Sequence, residues 1–170
     1  LVTDDNALAQ SLATDRRIAF LSFIGSARVG WSLHAKLPAG ARSALEHGGA
    51  APAIVDRSAD LDKVIEPIVK GGYYHAGQVC VSTQRIFVHA EIADDLTQRL
   101  VARGEKLRTA DPALGDTEVG PLILPREADR VGQWVSEAVE GGAVLATGGR
   151  RLSETTLEPT VLLDPAADAK

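Results

Sequence analysis

A single cysteine among 170 residues leaves no partner for an internal disulfide and no basis for a cysteine-rich zinc site. Cys80 is therefore either a buried spectator or a reactive thiol, and a cytoplasmic location is expected. Long apolar runs are also missing. None approaches the roughly 18 residues that would cross a bilayer, so no membrane partner is expected. Basic excess is absent, with 18 Lys and Arg against 23 Asp and Glu for a net charge of -5. The two signs are interspersed, which leaves neither a stripe for nucleic acid nor a polybasic lipid anchor. The histidines, His34, His47, His75 and His89, lack metal-ligand spacing, so no metal is expected. The chain has no repeats or low-complexity tracts, no export signal and no initial methionine. Its first residues read like the inside of a folded domain, so a fragment is expected.

What is present is an ordinary globular composition, 45% hydrophobic and 24% charged. The length suits one domain, or parts of two, burying roughly 70% of the unfolded surface. Residues 18–23 form a short apolar strand, followed by Gly25 and Ser26 and a helix marked by Val29, Leu33 and Leu37. Short strands are expected at 44–46 and 53–55, separated by Gly48, Gly49 and Pro52. Asp60 reads as the N-cap of a helix over 61–76, which Pro67 is expected to kink. A strand at 85–89 and a helix at 91–107 follow. A Gly, Pro and Asp-rich crossing then runs over 111–124 and ends at Pro125, which starts a helix buried along Val131, Trp134, Val135 and Ala138. That helix stops at Gly141 and Gly142, before strands at 143–147 and 160–163. Alternating strands and helices predict an α/β fold with a largely parallel sheet and flanking helices.

Three places can carry chemistry. His75-Ala-Gly-Gln-Val-Cys80 sets the thiol in a glycine-containing loop, where a thiolate can attack a carbonyl carbon and backbone N–H groups can stabilise the resulting oxyanion. Glu46 ends a short strand among apolar and glycine neighbours, which would partly desolvate a carboxylate and suit it to act as a general base on water. The bland alternatives are a buried cysteine and a solvated glutamate. Phe23-Ile-Gly25-Ser26, between a strand and a helix, can receive phosphate, although it lacks the three-glycine dinucleotide fingerprint and can equally be a turn and cap.

In order, Phe20-Leu-Ser-Phe-Ile-Gly-Ser26, Leu45-Glu-His-Gly-Gly49 and Gly77-Gln-Val-Cys80 resemble three successive signatures of the aldehyde dehydrogenase superfamily at that family's usual separations. The resemblance continues through Arg85-Ile-Phe-Val-His89, Val119-Gly-Pro-Leu122, the 142–149 strand and turn, and Leu157-Glu-Pro-Thr160, so it spans essentially the whole chain. It implies NAD- or NADP-dependent oxidation of a small-molecule aldehyde to an acid, with Cys80 as nucleophile and Glu46 as base. The presence of Glu46 implies the hydrolytic branch, because coenzyme A-acylating branches generally lack this base. The resemblance further implies that the Cys80 N–H supplies part of the oxyanion hole. Gly25, Ser26, Val29, His47 and Gly48 would line the cofactor path, and Gln78, Val79, Val81 and Ser82 the aldehyde pocket. Residues 1–46 would be the end of the dinucleotide-binding domain and 47–170 the first large part of the catalytic domain.

Ile24, His47 and Ala50 depart from the family pattern, which usually has threonine, leucine, and lysine or asparagine there. His47 is expected to hydrogen-bond near Glu46 or the nicotinamide. Tyr73-Tyr74-His75 resembles bacterial branches acting on small polar aldehydes such as lactaldehyde or semialdehydes. The family's second oxyanion donor and its ribose-binding lysine and glutamate are not among these residues, so the isolated chain is expected to have little activity. The full-length protein would be a homo-oligomer, a dimer or tetramer. A non-catalytic module that keeps the fold for binding is the competing reading, and a cysteine hydrolase using His75 or His47 is the third.

Overall fold

A computed structural model describes residues 3–170, which divide into two compact units with the boundary between Gly49 and Ala50. The first unit begins with helix α1 (Asn6–Ala13), where sequence periodicity suggests no element. The Asp5 carboxylate caps it, accepting from the N–H groups of Ala7 at 2.8 Å and Leu8 at 3.2 Å. Strand β1 (Phe20–Gly25) then leads through helix α2 (Ala27–His34) to strand β2 (Arg42–His47), and β1 and β2 pair in parallel. Alternation along β1 turns Leu21 and Phe23 inward and leaves Phe20, Ser22 and Ile24 exposed.

Helix α2 packs on this pair through Gly30, the buried residue of that helix. A Cβ there would lie 2.4 Å from His47 Nε2 and 3.0 Å from Phe23 Cδ1, so the missing side chain is what allows the helix to approach. Gly30→Ala is expected to lower the stability of the whole protein by about 1–3 kcal/mol through overpacking. In a His47→Ala background the same change should cost much less, as a thermal-denaturation double-mutant cycle can measure. Equal costs in both backgrounds would exclude the clash.

In the second unit, strand β3 (Ala51–Val55), helix α3 (Leu61–Tyr73) and strand β4 (Thr83–Val88) form another parallel pair with its crossover. Helix α4 (Ala93–Gly104) follows a short 3-10 turn and packs on α3. Their shared core comprises Val55, Leu61, Ile65, Val69, Leu96 and Leu100, all buried. Leu61, Ile65 and Val69 follow from helical spacing behind the Asp60 cap, whose carboxylate accepts from the Asp62 N–H at 3.2 Å. Helix α3 runs through Pro67 as one element. Pro67 lies on its exposed face, where the carbonyl left without a donor can be hydrated.

Helix α5 (Pro125–Glu140) starts at its proline, and strands β5 (Val144–Thr147) and β6 (Val161–Leu163) form an antiparallel pair. The fold is therefore α/β and largely parallel as expected, with two parallel pairs and one antiparallel pair. No helix among the described residues is long and apolar enough to cross a membrane.

The crossing between α4 and α5 is firmly held. Val119 is buried and bridges Thr109, while Arg103 joins Glu118 and Glu66, each at 2.8 Å. Arg103 and the Arg108 backbone N–H hold the Glu118 carboxyl below its ordinary range.

Tyr73 ties the end of α3 to the segment before β6, its hydroxyl donating to the Thr160 carbonyl at 2.9 Å. Burial pushes this phenol up to about 12 from an ordinary 10. The folded chain thus keeps a proton that the unfolded chain releases above pH 10. Stability linked to the neutral phenol is complete below pH 10 and is lost as pH rises toward 12, at about 1.4 kcal/mol per pH unit. Tyr73→Phe should cost about 1 kcal/mol at neutral pH and flatten the alkaline fall of the denaturation midpoint. Parallel alkaline slopes for parent and variant would refute the linkage.

Candidate functional site

The strand end that carries Glu46 belongs to the first unit. Alternation along β2 puts Leu45 and His47 on the face that packs beneath α2 and leaves Glu46 exposed on the other, beside its register neighbour Ile24. This corrects two expectations. The neighbours expected to desolvate the carboxylate do not cover it, because adjacent strand residues point to opposite faces and Gly48 has no side chain. For the same reason the His47 ring does not reach the Glu46 carboxylate. It packs edge-on to Phe23 and Trp31, with ring centroids 6.5 and 5.7 Å away, and its Nε2 is buried without a partner among the described residues.

The turn before α2 presents backbone donors of the kind that can receive a phosphate. Ser26 caps the helix, accepting from the Val29 N–H at 3.4 Å, and Arg28 lies in a first turn that contains no acidic residue. The N–H groups of Ala27 and Arg28 lie outside the helical ladder, as at any helix start, and face the favourable end of the dipole. A side chain at Gly25 would meet the Phe23 ring at 2.7 Å, which keeps the backbone bare at this turn.

The thiol lies in the second unit, between α3 and β4. Past Tyr73 the chain enters a short turn in which His75 (φ 51°), Ala76 (φ 53°) and Gly77 (φ 72°) are successively left-handed. Two of these residues carry a Cβ, at a cost of roughly 1–2 kcal/mol each, and such strain persists only where surrounding bonds over-determine it. Gly77 has a second constraint, since a Cβ there would come within 3.3 Å of the Gly72 carbonyl. The Ser82 N–H then donates to the Val79 carbonyl at 3.0 Å, closing a β-turn with Cys80 and Val81 at its tip. Cys80 is exposed, and as the second residue of that turn it keeps its own N–H outside the turn's hydrogen bond.

Bonds hold this turn from both sides. Ser82, 1% exposed, donates its hydroxyl to the carbonyls of Gly71 and Gly72 at 3.2 Å each, satisfying the end of α3. Gln78 donates from Nε2 to the His75 carbonyl at 3.0 Å and, at a long 3.5 Å, to the Pro121 carbonyl, while its Oε1 accepts from the Ile123 N–H at 2.9 Å. Both side chains, expected to shape a pocket, thus have polar ends committed to backbone. Val81 is exposed and Val79 half-buried. The Tyr73 hydroxyl is turned to Thr160, whereas Tyr74 and His75 face each other at 5.1 Å with His75 exposed.

A hollow of about 290 Å³ in the first unit is lined by Trp31, His34, Ser43, Leu45 and His47. One of about 490 Å³ in the second lies between the 109–112 turn, Pro121 and the loop around Ser153. Neither takes in Glu46 or Cys80. The part played by Pro121 and Ile123 has no local signal in the sequence beyond the Val119-Gly-Pro-Leu122 motif itself.

The model of the aldehyde dehydrogenase family matches residues 1–170. A 3-sulfolactaldehyde dehydrogenase of Priestia aryabhattai is 38% identical over all of this chain and 35% of its own length. A succinate-semialdehyde dehydrogenase [NADP(+)] of Mycobacterium tuberculosis is 37% identical over 94% of this chain and 35% of its own. The crystal structure of aldehyde dehydrogenase 21 from Physcomitrella patens, in complex with the reaction product succinate, superposes with a TM-score of 0.91 at 37% identity. It is matched over 97% of this chain and 34% of its own. This chain thus spans about a third of the length of these relatives.

Proposed function

The chain belongs to the aldehyde dehydrogenase family, and from that premise we propose that the whole protein oxidises a small polar aldehyde to its carboxylic acid with NAD or NADP. Cys80 is the nucleophile and Glu46 the general base. The observation that carries this reading is the presentation of the thiol, exposed at the tip of a tight turn whose strained approach is held by buried and bridging hydrogen bonds.

The Cys80 thiolate adds to the aldehyde carbon, and the oxygen that gains charge meets the outward N–H of Cys80. NAD or NADP, when bound, supplies the hydride acceptor that converts the thiohemiacetal to a thioester. Gly25, Ser26, Ala27 and Arg28 would hold its phosphates at the start of α2. Glu46 then takes a proton from water, the resulting hydroxide adds to the thioester carbon, and the carbon–sulfur bond breaks to return the thiolate and release the acid. Its open position on β2 leaves room for that water. In this reading the first unit is the end of a dinucleotide-binding domain and the second the opening of a catalytic domain.

Two relatives are named for 3-sulfolactaldehyde and succinate semialdehyde, and the solved relative holds succinate. Those names favour a short aldehyde bearing a second polar or anionic group. The test is NAD(P)H formation by the whole protein on a panel of short aldehydes with and without such a group. Preference for the substituted members supports the substrate class. Absence of turnover with every member overturns the assignment.

A further inference from the structure

Among polar side chains near Cys80, Gln78 makes a pattern of bonds that normally belongs to a peptide unit. Its carboxamide accepts from the Ile123 N–H at 2.9 Å and approaches the Pro121 carbonyl at 3.5 Å, so it addresses the N–H and C=O on either side of Leu122. A neighbouring strand residue would pair with the same two groups. The opposite side of the carboxamide is tied into its own turn, where Nε2 reaches the His75 carbonyl at 3.0 Å. One side chain therefore links the left-handed turn before the thiol to a crossing 43 residues further along.

That crossing is a firm support. Buried Val119, its bridge to Thr109 and the Arg103–Glu118 ion pair fix it to α4 immediately before Pro121. Ser82 fixes the far side of the turn to the end of α3. Without the carboxamide, the near side would keep the backbone bonds internal to its own turn, such as the 3.1 Å bond from the Gln78 N–H to the His75 carbonyl, but would lose its tie to the 121–123 backbone, across residues whose conformation is itself unfavourable.

We propose that Gln78 is a positioning residue for the Cys80 thiol, setting the place of Sγ by clamping the turn to the backbone of Pro121 and Ile123. This rests on the reading of Cys80 as nucleophile. Asparagine would be a methylene too short for the bridge. Glutamate would place a carboxylate against two carbonyl oxygens.

The test uses the whole protein in three variants: Gln78→Met, which keeps length and packing but loses the amide; Ile123→Pro, which removes the N–H from the other side; and the double variant. Each is measured for kcat, for KM of the cofactor, for the rate of Cys80 alkylation by iodoacetamide, and for Tm. A displacement of the reacting atom by about 1 Å can cost on the order of a hundredfold in rate. The expected result is a kcat at least tenfold lower in both single variants, with cofactor KM within twofold of the parent. Alkylation should shift at least fivefold in the same direction in both, and the double variant should be no worse than either. Alkylation and kcat within twofold of the parent in folded Gln78→Met overturn the proposal, as do losses that multiply in the double variant. If Gln78→Met does not fold, Ile123→Pro decides by the same thresholds. Should the parent oxidise no aldehyde, the nucleophile reading falls, while the alkylation rates still decide whether Gln78 controls the thiol.

Discussion

Replacing Cys80 by alanine is expected to abolish aldehyde-dependent NAD(P)H formation by the whole protein, lowering kcat/KM by about four orders of magnitude or more. The size follows from the chemistry. Without sulfur there is no covalent adduct, and loss of a nucleophile leaves only what binding and oxyanion donors provide. The variant should fold like the parent, because Cys80 is exposed at the tip of a turn and its side chain fills no core space. Cofactor binding, measured by fluorescence titration, should therefore survive. Retention of activity within tenfold would remove Cys80 from the mechanism, and a fall in Tm as large as that of a core substitution would contradict its exposed position.

Glutamine at position 46 should give a different signature. It keeps the shape of the side chain and removes the proton acceptor, so aldehyde addition and the first oxidation can proceed while hydrolysis of the thioester stalls. The expected result is a rapid burst of about one NAD(P)H per active site followed by steady turnover lowered about 10²- to 10⁴-fold, the usual range for a general base. An added small thiol, which can take the acyl group from sulfur, should restore turnover only if the thioester is what accumulates. A stoichiometric burst with slow turnover supports the base assignment. A burst lost along with turnover would move Glu46 to an earlier step, and unchanged turnover would remove it altogether. Glu46 is exposed on its strand, so the variant should leave stability within about 0.5 kcal/mol of the parent, as for surface changes in general.

Much of the fold is legible in the sequence because the signals are local. Asp60, Pro125 and the Gly141-Gly142 pair mark helix limits through backbone chemistry that acts within one turn, and the boundaries fall within a few residues of expectation. The core positions Leu61, Ile65, Leu96 and Leu100 follow from spacing alone. Helix α1 escapes such reading because Leu8 and Leu12, the residues that give it periodicity, remain half exposed and Asp5 reads equally well as a loop residue. The antiparallel β5–β6 pair escapes it because the direction of pairing depends on how the chain returns, which strand composition does not encode.

The sequence by itself determined the order of strands and helices from β1 onward and marked Glu46, Cys80 and the Gly25-Ser26 turn as chemical candidates, since residue identity and nearest-neighbour backbone preference suffice for that. Only the tertiary structure decided where the polar side chains beside them are spent. It turned His47 beneath α2 against Gly30, opposite to Glu46, and it sent Gln78 to Pro121 and Ile123 and Ser82 to the end of α3. The reason is that a hydrogen bond or a packing contact is a relation between distant parts of the chain. Its partners, 43 or 45 residues away for Gln78, meet only once the core between α3 and α4 has fixed their distance.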